Sequence, residues 1–280
     1  MANIVGMIGC THVPAIGGAV AKGLQQDPYW APFFAGFPHA HAWLREARPD
    51  HVVVIYNDHG LNFFLDNLPT FAVGAAESYR NSDEGWGIPS LGDFAGDARL
   101  SWHLIESLVA DEFDIASCQR MLVDHAFSLP VSLLWPGDGA AKIRAVPVAY
   151  NTVQHPLPSP RRCYKLGQAI GRALASYPEE HRVVLLATGG LSHQLDGTRA
   201  GFVNQAFDKE CIDSLLTDPA ALTRYSVLDL IEKAGNQGVE VMGWLAARAA
   251  LGPHVRQVYW NYHLPISNTA SGLWVLENQA

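Results

Sequence analysis

Short runs of β-branched and apolar residues recur along the chain and predict strands over residues 3–9, 51–57, 69–74, 143–150, 182–188, 255–262 and 272–276. Several of these runs are apolar without alternation, the pattern of strands covered on both faces. Between them apolar residues return at every fourth position, as in Leu100, Leu104 and Leu108, in Leu166, Ile170 and Leu174, and in Phe207, Cys211 and Leu215. That period marks helices with one buried stripe. Strand and helix patterns alternate, so the expected fold is α/β: one domain over residues 1–280, with a mixed, largely buried central sheet flanked by helices. No internal repeat and no polar linker divides the chain. Two stretches, 22–37 and 78–97, show no periodicity, and loops of that length in a compact fold usually serve as lids or packing surfaces.

Composition narrows the partners. Hydrophobic residues make up 49% of the chain and charged ones 16%, which excludes a disordered, coiled-coil or collagen-like molecule. The net charge is -8 and the 19 Lys and Arg are scattered, whereas nucleic acids and anionic membranes are gripped through clustered cations. Cys10, Cys118, Cys163 and Cys211 form no CxxC pair, so neither a zinc ribbon nor a disulfide scaffold is expected. The first residues lack a basic stretch followed by a long apolar one, and no apolar run approaches the roughly 20 residues of a membrane span. A soluble, cytoplasmic protein is the expectation. Against this background, 12 His beside only 19 Lys and Arg is a high share. Histidine is the commonest transition-metal ligand and the natural proton carrier near neutral pH, so the positions of these twelve matter.

Three of them follow predicted strands directly. His12 stands in CTHVP, where Pro14 keeps Val13 out of helix; His59 stands in YNDHG, and His193 in TGGLSH. Alone, each reads as a hydrogen-bonded loop residue. Together they come from strand ends, and ligands of open α/β sheets bind beyond the carboxyl ends of the strands. Glu240 is the fourth piece, in a helical pattern that is apolar nearly all round and on the face of Trp244, Ala247 and Leu251. A carboxylate there requires a cation or strong hydrogen bonds. A salt bridge or a raised pKa would serve, and so would a metal ion. Two His and one carboxylate make the facial set of non-haem Fe(II) oxygenases. The same set holds Zn²⁺ in hydrolases, and spacing alone does not choose between them.

Seven segments in order, THVPAIG, YNDHGLNFF, DEGWG, VDHAFSLP, TGGLSHQLDG, NQGVEVMGW and YHLPISNTA, give the chain a resemblance to the class III extradiol ring-cleavage dioxygenases. The likeness runs from about residue 4 to about residue 276 and is strongest to the catalytic β chains of the protocatechuate 4,5-dioxygenase type. It implies Fe(II) as cofactor, with His12, His59 and Glu240 as metal ligands and His193 as the acid/base. It also implies pocket roles for His125 and for Asn57, and a substrate-carboxylate contact for Ser267. The implied reaction is extradiol cleavage of a carboxylated catechol by O₂. Protocatechuate is the first expectation, giving 4-carboxy-2-hydroxymuconate semialdehyde in the breakdown of lignin-derived aromatics.

The resemblance leaves neighbouring readings. Gallate or a 3-O-methylated gallate would use the same metal site; a Zn²⁺ hydrolase and a non-enzymatic relative of the same fold are more distant. Enzymes of this type work with a small helical α chain, separate or fused, that lids the active site. No such extension is recognisable in these residues, so a partner chain in an α₂β₂ assembly is expected. The aromatic segment from Tyr29 to Phe34 and Trp86 read first as core packing and second as a docking surface. For His39, His41, His51, His103, His155, His181, His254 and His263 the sequence suggests no role.

Overall fold

The protein is described by a computed structural model that covers residues 1–85, 87–88, 91–264 and 269–279. Eleven strands are present among the described residues: β1 (Asn3–Cys10), β2 (His51–Tyr56), β3 (Phe71–Gly74), β4 (Ser78–Asn81), β5 (Asp93–Ala95), β6 (Ile115–Cys118), β7 (Leu122–Val123), β8 (Arg144–Tyr150), β9 (Arg182–Thr188), β10 (Val255–His263) and β11 (Ser271–Asn278). Eight of them form one sheet in the order β10-β11-β1-β9-β2-β8-β3-β6. Its centre, β1-β9-β2-β8, is parallel, while β11 and β3 run antiparallel to the strands they flank. This is the mixed sheet that the apolar runs predict, and β2 is buried at every position.

Helices cover both faces, so the core lies in two layers. On one side Ala98–Ala110, Pro160–Ser176, Gln205–Thr217 and Val241–Ala249 pack over Val53, Val146 and Leu185; on the other Pro14–Ala21, Phe37–Ala47 and His125–Leu134 pack over Val52, Val54 and Leu186. Alternate residues of one strand thus feed opposite layers. Helices Pro160–Ser176 and Val241–Ala249 meet closely because Gly167 faces a backbone carbonyl: a Cβ there would lie 2.0 Å from the Ala246 oxygen.

The two aperiodic stretches resolve differently. Residues 78–97 hold β4 and β5, which join β7 in a small three-stranded sheet. Runs of three or four residues are too short to show a period, although Tyr79 and Phe94 are each buried between less buried neighbours. Residues 22–37 contain the short helix Ala31–Phe34. There Phe33 is fully buried and packs edge-on against Phe37 at 5.5 Å, as core packing requires, while Tyr29, Trp30 and Phe34 are partly buried. Trp86 lies outside the described residues.

Candidate metal centre and active site

The central strands β1, β9 and β2 are neighbours and parallel, and their carboxyl ends lead into His12, His193 and His59 respectively. Strands spaced by about 4.8 Å bring such residues to one crevice. Local interactions aim each ring. After β1, Val13 is extended and Pro14 opens a helix, which turns His12 inward. After β2, the Asp58 carboxylate accepts the backbone N–H groups of Leu61, Asn62 and Phe63 at 3.0–3.2 Å and folds the chain sharply around Asn57 and His59. After β9, Gly189 takes φ 130°, a region that favours glycine, and a Cβ there would lie 2.8 Å from the Glu240 Cβ. Asp208, reaching from Gln205–Thr217, fixes the rest of that loop by accepting from Ser192 N at 2.7 Å and Ser192 Oγ at 2.6 Å.

His125 joins the site as the first residue of the helix His125–Leu134. Asp124 serves both: one oxygen caps the helix, accepting from Ala126 N at 3.0 Å and Phe127 N at 3.3 Å, and the other accepts from the backbone N and Nδ1 of His59 at 2.9 and 3.0 Å. The rings of His12, His59 and His125 lie 4.4–5.4 Å apart, centroid to centroid.

A common arrangement fixes these imidazoles. Nδ1 is engaged by Thr188 Oγ1 in His12 (3.1 Å), Asp124 in His59, Glu84 in His125 (2.9 Å) and the Leu191 carbonyl in His193 (2.9 Å). Carboxylates and carbonyls only accept, so His59, His125 and His193 carry a proton on Nδ1. Nε2 of His12 and of His193 faces the two oxygens of Glu240, at 3.6 and 3.9 Å. Nε2 of His59 lies 3.0 Å from Asn57 Nδ2, which also donates to Glu240 Oε1 at 3.1 Å.

Glu240 is buried and accepts two neutral hydrogen bonds, from Asn57 and from the Gly190 N–H, which approaches Oε2 at 2.6 Å. Burial opposes its charge, but His12, His193 and His59 outweigh that and hold its carboxyl far below the usual range. His12 is pushed down by burial, against the pull of Glu240, and so keeps the lone pair a ligand needs. Burial also depresses His59, whose side chain retains 29% of its exposure. There the hydrogen bond and charge of Asp124, with Glu240 and Glu84, win and raise it to about 9. A histidine raised in this way marks surplus negative charge, and a bound cation would take that proton's place.

The donors fit a metal ion. Nε2 of His59 and Glu240 Oε1 meet at the Asn57 amide nitrogen, Nε2 of His12 lies 3.6 Å from that same Glu240 oxygen, and Asn57 Oδ1, also buried, has no hydrogen-bond partner. The outer nitrogens are backed in the way that ligating histidines are. His12, His59 and His125 also place one ligand atom each within 4.8 Å of one another. Glu240 adds a buried carboxylate with no Lys or Arg beside it among the described residues, a group that favours a nearby cation.

These residues line one cavity of about 700 Å³ with Thr152, His155, Asn236, Gln237 and others. Asn57, His125 and His193 all face it. Ser267 lies outside the described residues, although Thr269 of the same motif lines the cavity. Glu240 is not inside the helix as its pattern predicts: it ends a short 3-10 turn, Gly238–Glu240, and the helix begins at Val241. Its carbonyl accepts from Tyr150 Oη at 2.8 Å, which holds that junction from the strand side. Three residues escaped the sequence reading. Glu84 and Asp124 lie within the DEGWG and VDHAFSLP segments, and a buried histidine's need for an acceptor was the signal that could have found them. His155, for which the sequence suggests no role, is part of the cavity wall.

Similarity to known proteins agrees first in fold. An uncharacterized protein from Escherichia coli K12, known from its crystal structure, superposes with a TM-score of 0.60 over 96% of this chain and 99% of that one, at 12% identity. The architecture is therefore that of an existing α/β class. Residues 6–272 match the family described as the catalytic LigB subunit of aromatic ring-opening dioxygenase, and the chain belongs to that family. Among its relatives, gallate dioxygenase of Pseudomonas putida is 41% identical over 198 residues, 71% of this chain and 58% of that protein. The 2,3-dihydroxyphenylpropionate/2,3-dihydroxicinnamic acid 1,2-dioxygenase of Photorhabdus laumondii is 33% identical over 150 residues, 54% of this chain and 45% of that protein. A protein of the same name from a Rhodococcus species is 27% identical over 268 residues, 78% of this chain and 81% of its own. The chain thus spans about half the length of the first two.

Proposed function

We propose that this chain carries the metal centre of an extradiol dioxygenase that opens a carboxylated ring bearing adjacent hydroxyls, with gallate as the preferred substrate. Protocatechuate is the first expectation from the motifs; the likeness to gallate dioxygenase reverses that order. The observation that carries the proposal is the convergence of His12, His59 and Glu240 on one cavity, each imidazole held at its outer nitrogen and the carboxylate facing histidines but no Lys or Arg among the described residues. These three residues would hold Fe(II), which supplies the Lewis-acid and one-electron chemistry that joins O₂ to a chelated ring.

The remaining work falls to the chain's own side chains. With Nδ1 committed to the Leu191 carbonyl, His193 presents Nε2 as its basic atom, 3.9 Å from Glu240 and at the cavity wall. It takes a phenolic proton as the ring docks and returns it as the ring opens, work suited to an imidazole near pH 7. Asn57 positions His59 and Glu240 relative to each other, and His125, braced by Glu84, bounds the docked ring. No Lys or Arg lines this cavity among the described residues, so the substrate carboxylate is received by neutral donors. Asn236, Gln237 and His155 supply them, with Ser267 as expected from the motif.

The exposed apolar side chains of Val153 and Leu195 stand at the cavity and are where a small helical lid chain would close it. No similarity reported above calls for a separate one, and the gallate dioxygenase is the longer protein. Co-expression with a candidate small chain followed by gel filtration tests that partner. Among the described residues no helix is long and apolar enough to cross a membrane, and the four free cysteines suit a reducing cytoplasm.

The test is a comparison of kcat/KM for gallate, protocatechuate and catechol with Fe(II)-loaded protein, mixed without oxygen and then exposed to it. Oxygen-dependent formation of the ring-fission product with gallate ahead of protocatechuate supports the proposal. Turnover without oxygen would instead identify a hydrolase. Ser267→Ala is expected to raise KM for gallate more than for a carboxyl-free analogue, and an equal rise for both would remove its carboxylate role.

A further inference from the structure

The two strands that lead into His59 and His193 also begin at a pair of histidines. His51 is the first residue of β2, and His181 immediately precedes β9. They line a separate cavity of about 590 Å³ with Asp50, Asp97, Arg144 and Glu179, at the opposite end of the sheet from the active site. Their rings lie 4.1 Å apart, centroid to centroid. Asp50 stands between them, with Oδ1 2.8 Å from Nδ1 of His51 and Oδ2 3.6 Å from Nδ1 of His181. Behind each ring is another carboxylate: Asp97 Oδ2 lies 3.0 Å from Nε2 of His51, and Glu179 Oε2 lies 3.4 Å from Nε2 of His181. That His181 nitrogen is buried and makes no aligned hydrogen bond.

We infer that Asp50, His51 and His181 form a second metal site, which takes a divalent transition ion of the zinc class through the Asp50 carboxylate and the two Nδ1 atoms. Their ligand atoms all lie within 4.8 Å of one another. A tetrahedral ion with bonds of about 2.0–2.1 Å separates its ligands by roughly 3.3 Å; the Asp50 contacts are 2.8 Å from Oδ1 to His51 and 3.6 Å from Oδ2 to His181, so the exposed carboxylate would turn to give the ion one oxygen. Asp97 supplies His51 with the outer support by which ligating histidines are oriented, and Glu179 stands 3.4 Å from the outer nitrogen of His181. Charge agrees as well. Asp97 has Arg144 at 3.6 Å, Glu179 pairs with Arg99, and Lys142 pairs with Asp138. Among the described residues, the ion partners of Asp50 are the two imidazoles alone. Its side chain is 51% exposed, which leaves a face for water as the fourth ligand. Such an ion would tie together the starts of the two strands whose ends carry the active-site histidines.

Equilibrium dialysis of metal-depleted protein against Zn(II), and separately against Co(II), with element analysis of the bound ion, tests the site. Wild type is compared with His181→Gln and with Asp50→Asn, and circular dichroism identifies folded variants. The expected result is that each folded variant binds about one ion per chain fewer than wild type and loses the visible bands of four-coordinate cobalt assigned to this site. Ring-opening activity of the Fe(II)-loaded protein stays unchanged. An unchanged ion count in any folded variant overturns the proposal.

Discussion

The two ends of strands β2 and β9 carry the same residue type in different settings. At the carboxyl ends, His59 and His193 stand on loops that have left the sheet, and their outer nitrogens are fixed by acceptors from the helix cap at Asp124 and from the loop's own backbone. Their faces turn into a cavity of about 700 Å³, large enough for an aromatic ring beside a metal ion. At the amino ends, His51 and His181 lie against the sheet itself, and the two neighbouring carboxylates that back them are already paired with arginines. Loops after the strands create both the ligand geometry and the space for substrate, whereas residues at strand starts inherit their spacing from the sheet. The first arrangement supports chemistry, and the second supports at most a bound ion.

The largest test of that contrast is His193→Gln. It should lower kcat by about 10²–10⁴-fold while leaving metal content unchanged; loss of the metal together with the activity would make His193 a ligand rather than the proton carrier. Next is the support of His59. Asp124→Asn should weaken metal binding at the active site by roughly 10–100-fold, measured by competition with a chelator, whereas Asp97→Asn at the other end should leave ring opening unaffected. A similar activity loss in both would erase the distinction between the two ends.

A smaller effect follows from protonation. His59 is raised from 6.5 to about 9 in the metal-free protein, so its contribution to stability is fully present below about pH 6.5 and is lost as pH rises through about 9. Glu240 is held low and stays ionised across that interval. The Tm of metal-free protein should therefore fall between pH 6.5 and 9, and metal should bind more tightly at the upper end because it no longer competes with a proton. A Tm that is flat or rises over that interval contradicts this picture of His59. The smallest effect is expected for Tyr150→Phe, which removes the hydrogen bond to the Glu240 carbonyl. Urea denaturation should show a loss of about 1 kcal/mol.

Much of this is legible in the sequence. Strands such as 51–57 and 182–188 declare themselves by unbroken apolar runs because both faces are buried, and His12, His59 and His193 stand out because each follows one. What stayed hidden depends on contacts between distant elements. Asp124 lies beside His125 in sequence but acts on His59, and Glu84 reaches His125 from the aperiodic stretch 78–97, between β4 and β5. The apolar pattern around Glu240 extends through a 3-10 turn into the helix, because burial alone imposes it and carries no mark of where the helix begins. For His51 and His181 the sequence suggests no role, because only the parallel pairing of β2 with β9 brings the starts of those strands together.

The central claim is that the carboxyl-end pocket adds dioxygen to a hydroxylated aromatic acid. The most direct measurement is turnover of gallate by the Fe(II)-loaded protein under ¹⁸O₂, with mass spectrometry of the ring-fission product. Both labelled atoms should appear in the product, apart from exchange with water, and the incorporation should vanish in Glu240→Gln. A product that carries oxygen only from water, or that forms equally well without O₂, would contradict it.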